Sequence, residues 1–194
     1  EFKDGITIDR TEALDQHNRN KIIHNLISLV LRELFEFGHM QTDPNYANFL
    51  FNSHSNAIQL LDFGATTALS PETMKKFKIL LRFTHVGDRA EIWKALLDLD
   101  ILDRNLPHNL TKQLLDIIEE AAAPLKSGAL YDFSDTQIVN RLHELSDELF
   151  KYRKKIRMPN IEILLIQRKV GGIFLLARKL KARIDLNSII TKYI

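Results

Sequence analysis

The run Met40-Gln41-Thr42-Asp43-Pro44-Asn45-Tyr46-Ala47-Asn48-Phe49, with Leu61-Asp62-Phe63-Gly64-Ala65 a short way beyond it, decides how the rest of the chain is read. Pro44 disfavours helix here and biases Asp43 toward an extended backbone. Phe49-Leu50-Phe51 and Ala57-Ile58-Gln59-Leu60-Leu61 are short β-prone runs, and the polar stretch Asn52-Ser53-His54-Ser55-Asn56 predicts a hairpin loop between them. Such a hairpin puts Asn48, at the start of one strand, beside Asp62 at the end of the other, with Asp43 one loop back. Two carboxylates and one carboxamide thereby collect at one end of a β-pair.

That set suits a hard divalent cation and a phosphate. Mg²⁺ takes oxygen ligands, and an Asp with an Asn suffices when water and phosphate oxygens complete the octahedron. Phosphoryl transfer asks little more of a protein than a held metal, an oriented acceptor and stabilised charge. Singly, each piece is a weak signal: Asp-Phe-Gly can end any strand, and Asp-Pro-Asn is commonly a turn. The order carries the information. An Asp, an Asn five residues on, then Asp-Phe-Gly beyond a β-pair is the order of the catalytic and metal-binding segments of protein kinases. Gln41-Thr42 stands where those segments have His-Arg, so an ordinary protein-kinase catalytic loop is not present.

Upstream of this run, Ile22, Ile23, Leu26, Ile27, Val30, Leu34 and Phe37 recur at three- and four-residue steps, which predicts a helix from about residue 18 to 37, capped by Gly38. Residues 1–10 read as extended, with a turn at Asp4-Gly5. Downstream of Ser70 the chain reads as helical. Ser70-Pro71-Glu72 is a helix start. Two helices separate near Gly87-Asp88, a third runs from Pro107 to a stop at Pro124, and 126–132 is expected to be loop. Ser134 or Asp135 starts a helix reaching about Tyr152, and Pro159 leads into a long apolar helix that Gly171-Gly172 is expected to weaken or kink. The expected fold is mainly α, one small hairpin set in a helical domain.

At 194 residues and 45% hydrophobic, the chain can bury a substantial core. A net charge of +2 gives no field that would draw nucleic acid, and the absence of Cys excludes disulfides and thiolate metal sites. His17, His24, His39, His54, His85, His108 and His143 show no zinc spacing. No apolar run approaches the ~20 residues that span a bilayer. The opening Glu1-Phe2-Lys3-Asp4-Gly5 lacks Met, a basic start and an apolar stretch, so a piece of a longer polypeptide without a leader is expected. Lys151, Arg153, Lys154, Lys155 and Arg157 crowd one short run. It reads as a solvated helix end, and its alternative use is contact with anionic lipid.

The run Leu31-Arg32-Glu33-Leu34-Phe35-Glu36-Phe37, the Gln41-Thr42-Asp43-Pro44-Asn45-Tyr46-Ala47-Asn48 loop and Leu61-Asp62-Phe63-Gly64-Ala65 together resemble the UbiB/ABC1/ADCK/COQ8 family of atypical kinases. Glu1 to Gly5 is similar to that family's connection between its two lobes, and Arg168-Lys169-Val170-Gly171-Gly172 to its C-terminal helix. The resemblance implies a protein-kinase-like C-terminal lobe over 11–194, an inter-lobe connection over 1–10, and an N-terminal lobe absent from this chain. It implies Mg²⁺ and ATP as cofactors. Asp62 and Asn48 would be the metal ligands, Phe63 and Gly64 would belong to the nucleotide site, and Asp43 would be the catalytic base or positioner. It further implies support of ubiquinone biosynthesis at the matrix face of the mitochondrial inner membrane, or at a bacterial cytoplasmic face. Anionic lipids, quinone precursors and other ubiquinone-biosynthesis proteins are the partners it suggests. The family's Lys-x-Gly-Gln motif, alanine-rich nucleotide loop and strand-borne Lys have no counterpart here, so the chain alone is expected to be inactive. The alternatives are a small-molecule phosphotransferase of the aminoglycoside or choline kinase type, which Gln41-Thr42 fits poorly, and a non-catalytic lobe that binds lipid or a partner.

Overall fold

The computed structural model describes residues 5–43, 45–152 and 159–194. The basic run beyond Tyr152 and most of the Glu1 to Gly5 connection lie outside them. A short strand, β1 (Ile6–Thr7), passes into a 3₁₀ turn at Ile8–Ala13 and then into α1 (Gln16–Arg32). The Asp15 carboxylate caps α1 by accepting from the Asn18 N–H at 2.9 Å. Ile22, Ile23, Leu26 and Val30 form its buried stripe, as their spacing dictates. The helix widens into a π turn at Glu33–Phe37 and ends at Gly38, whose φ of 61° is the left-handed conformation that favours glycine.

The described residues form three small antiparallel sheets, more than the single hairpin expected. The predicted hairpin is present: β3 (Phe49–Asn52) pairs with β4 (Ala57–Leu60), and β1 adds to the other edge of β3. A second sheet joins β2 (His39–Gln41) to β5 (Thr66–Ala68), and a third joins β6 (Tyr131–Asp132) to β7 (Arg183–Ile184). Strands of two or three residues carry no readable alternation, so the loop expected over 126–132 ends in a strand, β6.

The helices are α2 (Pro71–Val86), α3 (Arg89–Asp98), α4 (His108–Ser127), α5 (Gln137–Lys151), α6 (Ile161–Lys179) and α7 (Leu186–Ile190). Ser70 caps α2 as its sequence predicts, and Asp88, at the expected break between helices, caps α3. Two expectations are corrected. α4 does not stop at Pro124 but continues to Ser127, because burial of Ala122 and Leu125 against Ile190 outweighs the missing N–H of a proline one turn from the helix end. α6 is unbroken through Gly171-Gly172, since Ile166, Ile173, Leu176 and Ala177 bury one continuous face in the core. That core joins α1 to α6, with Met40, Phe49 and Phe51 from the strands packed against them. Each such fully buried large side chain contributes roughly 1.5–3 kcal/mol. Smaller clusters seat α3 on α4 and α4 on α5. No helix among the described residues is long and apolar enough to cross a membrane.

The C-terminal end closes back on the π turn: the Tyr193 hydroxyl donates to the Glu36 carboxylate at 2.7 Å. Burial and that carboxylate push the Tyr193 phenol up to about 12. A raised folded-state value means that this stabilisation is complete below about pH 10, the ordinary phenol range, and is lost as pH rises through about 12. Comparing tyrosinate absorbance of the protein with that of Tyr193→Phe should give a difference titration centred near 12. A midpoint near 10 would contradict the contact.

Candidate functional site

Two of the ladders converge on one place. In the β3–β4 ladder Phe49 faces Leu60, and the Leu61 N–H donates to the Asn48 carbonyl at 2.8 Å. In the β2–β5 ladder Gln41 faces Thr66, and Thr42 holds the Ala65 carbonyl twice, through its N–H at 2.9 Å and its hydroxyl at 2.8 Å. Residues 43 and 45–48 on one side and 62–64 on the other are therefore tied by these two ladders.

Within the first segment, the Asn48 carboxamide donates from Nδ2 to Asp43 Oδ2 at 2.7 Å. Asp43 Oδ1 accepts the Asn45 N–H at 3.1 Å, and Asn45 Oδ1 accepts the Ala47 N–H at 3.0 Å. These Asx turns fold the loop tightly enough to bring the two side chains together across five residues. In the second segment, Asp62 Oδ1 accepts the Gly64 N–H at 2.7 Å. A Cβ on Gly64 would stand 3.1 Å from that oxygen, so the turn is tight. Asp43 and Asn48 are half-buried, while Asp62 and Gly64 are exposed and Phe63 is 64% exposed. His39 is exposed, with Nδ1 3.0 Å from the Phe37 carbonyl, and takes no part in the site.

The donor set fits Mg²⁺. Asn48 spends its Nδ2 on Asp43, which orients its carboxamide oxygen, and Asp62 supplies a carboxylate. Among the described residues no group of three or more His, Cys, Asp and Glu side chains could hold a metal on its own. Two protein oxygens suit an ion that arrives with phosphate oxygens and water around it.

The residues that hold the loop lie outside the Asp…Asn…Asp-Phe-Gly motif. The Glu33 carboxylate and the Lys169 ammonium form a buried ion pair, their side chains 6% and 8% exposed. Lys169 also donates to the Gln41 carbonyl at 2.7 Å, and Glu33 accepts the Gln41 N–H at 3.3 Å. The edge of β2 that faces away from β5 is thus satisfied by side chains in place of another strand. Burial lowers the Lys169 ammonium below its ordinary range, with Glu33 acting in the opposite direction. Three residues later on α6, Gly172 lies against Tyr46: a Cβ there would meet the Tyr46 hydroxyl at 2.8 Å. A small cavity between α6 and the loop is lined by Thr42, Asp43, Tyr46, Arg168, Lys169 and Gly172, among others. The signal was legible: Glu33 sits inside the apolar stripe of Val30 and Leu34, and Lys169 inside that of Ile166 and Ile173. Opposite charges in two buried stripes announce a buried pair.

Gln41 poses a separate problem. Its side chain is buried, and neither Oε1 nor Nε2 has a partner among the described residues. An unsatisfied buried amide costs about 1–3 kcal/mol. Gln41→Met should therefore raise stability by roughly 1 kcal/mol or more, measured by urea unfolding. A loss of stability would show that the amide has a partner.

A mainly helical body with an Asp…Asn…Asp-Phe-Gly constellation gathered at the end of a hairpin defines a kinase-like lobe. A solved structure of Rv3197 from Mycobacterium tuberculosis, in complex with erythromycin, shares this fold with a TM-score of 0.70, covering 100% of this chain and 48% of that one at 13% identity. Residues 1–96 match the ABC1 atypical kinase-like domain. The chain is 37% identical over 186 residues to the mitochondrial atypical kinase COQ8B of Danio rerio, aligning 94% of this chain with 29% of that protein. Against COQ8B of Rattus norvegicus the identity is 34%, over 95% of this chain and 34% of the relative. Against COQ8 of Saccharomyces cerevisiae it is 28%, over 93% and 36%. The chain spans about a third of the length of these relatives. By these matches the first part of the chain is similar to the ABC1 atypical kinase-like domain, and nearly the whole chain to the COQ8-type atypical kinases.

Proposed function

We propose that this chain is the metal-holding lobe of an atypical kinase or ATPase that supports ubiquinone biosynthesis. Asp62 and Asn48 hold Mg-ATP, Phe63 and Gly64 shape the nucleotide side of the site, and Asp43 orients the acceptor and receives its proton. The observation that carries this reading is the Asn48–Asp43 hydrogen bond at 2.7 Å, set beside the Asp62-Phe63-Gly64 turn by two ladders. In this reading the base and both metal ligands stand on backbone tied by ladder hydrogen bonds, which suits the positioning and charge stabilisation that phosphoryl transfer requires.

A second lobe, outside this chain, covers the phosphates in this reading. Residues 1–10 form the connection to it and 11–194 the lobe described here. Two observations support the idea: the chain spans about a third of its relatives' length, and Phe63 and Leu61 expose 64% and 48% of their surface at the open side of the site. The relatives named mitochondrial support a mitochondrial setting; in this reading the chain works at the matrix face of the inner membrane, with lipid, quinone precursors and other ubiquinone-biosynthesis proteins as its partners.

Nucleotide turnover by the two-lobed polypeptide, assayed with and without Mg²⁺, tests the function. Hydrolysis that requires the metal supports the reading, and its absence overturns it. The 194-residue chain alone should bind Mg-ATP more weakly than micromolar, because the alanine-rich nucleotide loop and strand-borne Lys of the family have no counterpart in its sequence. Micromolar binding by calorimetry would contradict the division into two lobes.

A further inference from the structure

We propose that α6 sets the position of the Asp43 loop, with Lys169 and Gly172 as positioning residues on either side of it. The inference rests on the site reading above and adds how that site is held. α6 touches the loop at two points. Before Asp43, Lys169 donates to the Gln41 carbonyl at 2.7 Å while its ion-pair partner Glu33 accepts the N–H of the same residue at 3.3 Å. After Asp43, the bare Cα of Gly172 admits the Tyr46 hydroxyl, which a Cβ would meet at 2.8 Å.

Tyr46 lies between Asn45, whose side chain accepts the Ala47 N–H, and Asn48, whose side chain holds Asp43. A displacement of Tyr46 is therefore transmitted along the turn to the Asn48–Asp43 pair. The helix itself has little freedom to yield. Ile166, Ile173, Leu176 and Ala177 anchor it in the core, and Lys169 is among the buried polar residues of the chain. The loop is thus gripped between a fixed helix and two strand ladders, which gives the sub-ångström placement that reacting groups demand.

The test uses the two-lobed polypeptide and reads kcat and KM for ATP beside thermal unfolding. Gly172→Ala removes a glycine from a helix interior, which by helix propensity alone favours the fold. It should nevertheless lower kcat on the order of 10- to 100-fold, with KM for ATP changed by less than about threefold, because it moves the loop rather than removing a nucleotide contact. Adding Tyr46→Phe deletes the atom the new methyl meets and should restore most of the lost kcat. Glu33→Leu with Lys169→Met removes both buried charges together and leaves the Gln41 backbone unheld, and should show the same selective fall in kcat. Unchanged kcat in Gly172→Ala, or a fall that Tyr46→Phe does not rescue, would overturn the inference. Turnover that survives Asp62→Asn marks the failure of the site reading instead, and the two failures are thereby told apart.

Discussion

Asp62→Asn is expected to reduce Mg²⁺-dependent ATP turnover by at least about a hundredfold while leaving the fold intact. The reason lies in what the substitution keeps and what it removes. Asp62 sits on an exposed turn, and its structural contact is acceptance of the Gly64 N–H by Oδ1 at 2.7 Å. Asparagine retains that acceptor and the side-chain shape, so stability should stay within about 0.5 kcal/mol of the original. What disappears is the negative charge that would offset a divalent cation, and with it one of two protein oxygens offered to the metal. The measurement is steady-state hydrolysis by the two-lobed polypeptide, with urea unfolding as the control. Turnover that persists in a well-folded Asp62→Asn protein would remove the metal-ligand role, whereas no turnover in the unsubstituted protein would favour a lobe that binds lipid or a partner without catalysis.

The largest stability effect is expected at Lys169. In Lys169→Met the Glu33 carboxylate, 6% exposed, loses its counter-ion and the Gln41 carbonyl loses its donor. Removing one member of a buried pair costs about 3–5 kcal/mol. That is a large share of the roughly 5–15 kcal/mol that holds a typical domain together. Glu33→Leu with Lys169→Met should recover part of the loss, since no charge then remains buried, but not all of it, since the Gln41 N–H and carbonyl are left unpaired. Urea unfolding of the three proteins measures this directly. A loss below about 1 kcal/mol for Lys169→Met would show that the pair behaves as a solvated surface contact.

These two residues mark what the sequence reveals and what it hides. Asp43, Asn48 and Asp62 are legible because their grouping depends on local features: a proline that breaks helix, a polar hairpin loop, and β-prone runs on either side. α1 and its Gly38 end are legible for the same kind of reason, a long apolar period with a matching stop signal. The β2–β5 ladder is not, since three-residue strands show no alternation, yet it ties Thr42 to Ala65 and completes the site. The unbroken course of α6 is hidden too. Local propensity marks Gly171-Gly172 as a weak point, while packing of Ile173, Leu176 and Ala177 carries the helix through it. Gly172 is better understood as the place where a neighbouring ring needs room. Lys169 and Glu33 are an intermediate case, because each is visible as a charge in an apolar stripe, while only the three-dimensional structure shows that the stripes face each other across the loop.

Addition of Mn²⁺ with ATP to the isotopically labelled 194-residue chain, followed by paramagnetic broadening of its amide resonances, tests the central claim most directly. A weak, exchanging complex is sufficient for the effect. Broadening should concentrate on residues 43, 45–48 and 62–64, and Asp62→Asn should abolish it there. Broadening centred elsewhere, for instance on the half-buried Asp116 and Glu119 carboxylates that pair with Arg89, and indifferent to Asp62→Asn, would contradict the assignment of Asp43, Asn48 and Asp62 as the metal-holding half of the site.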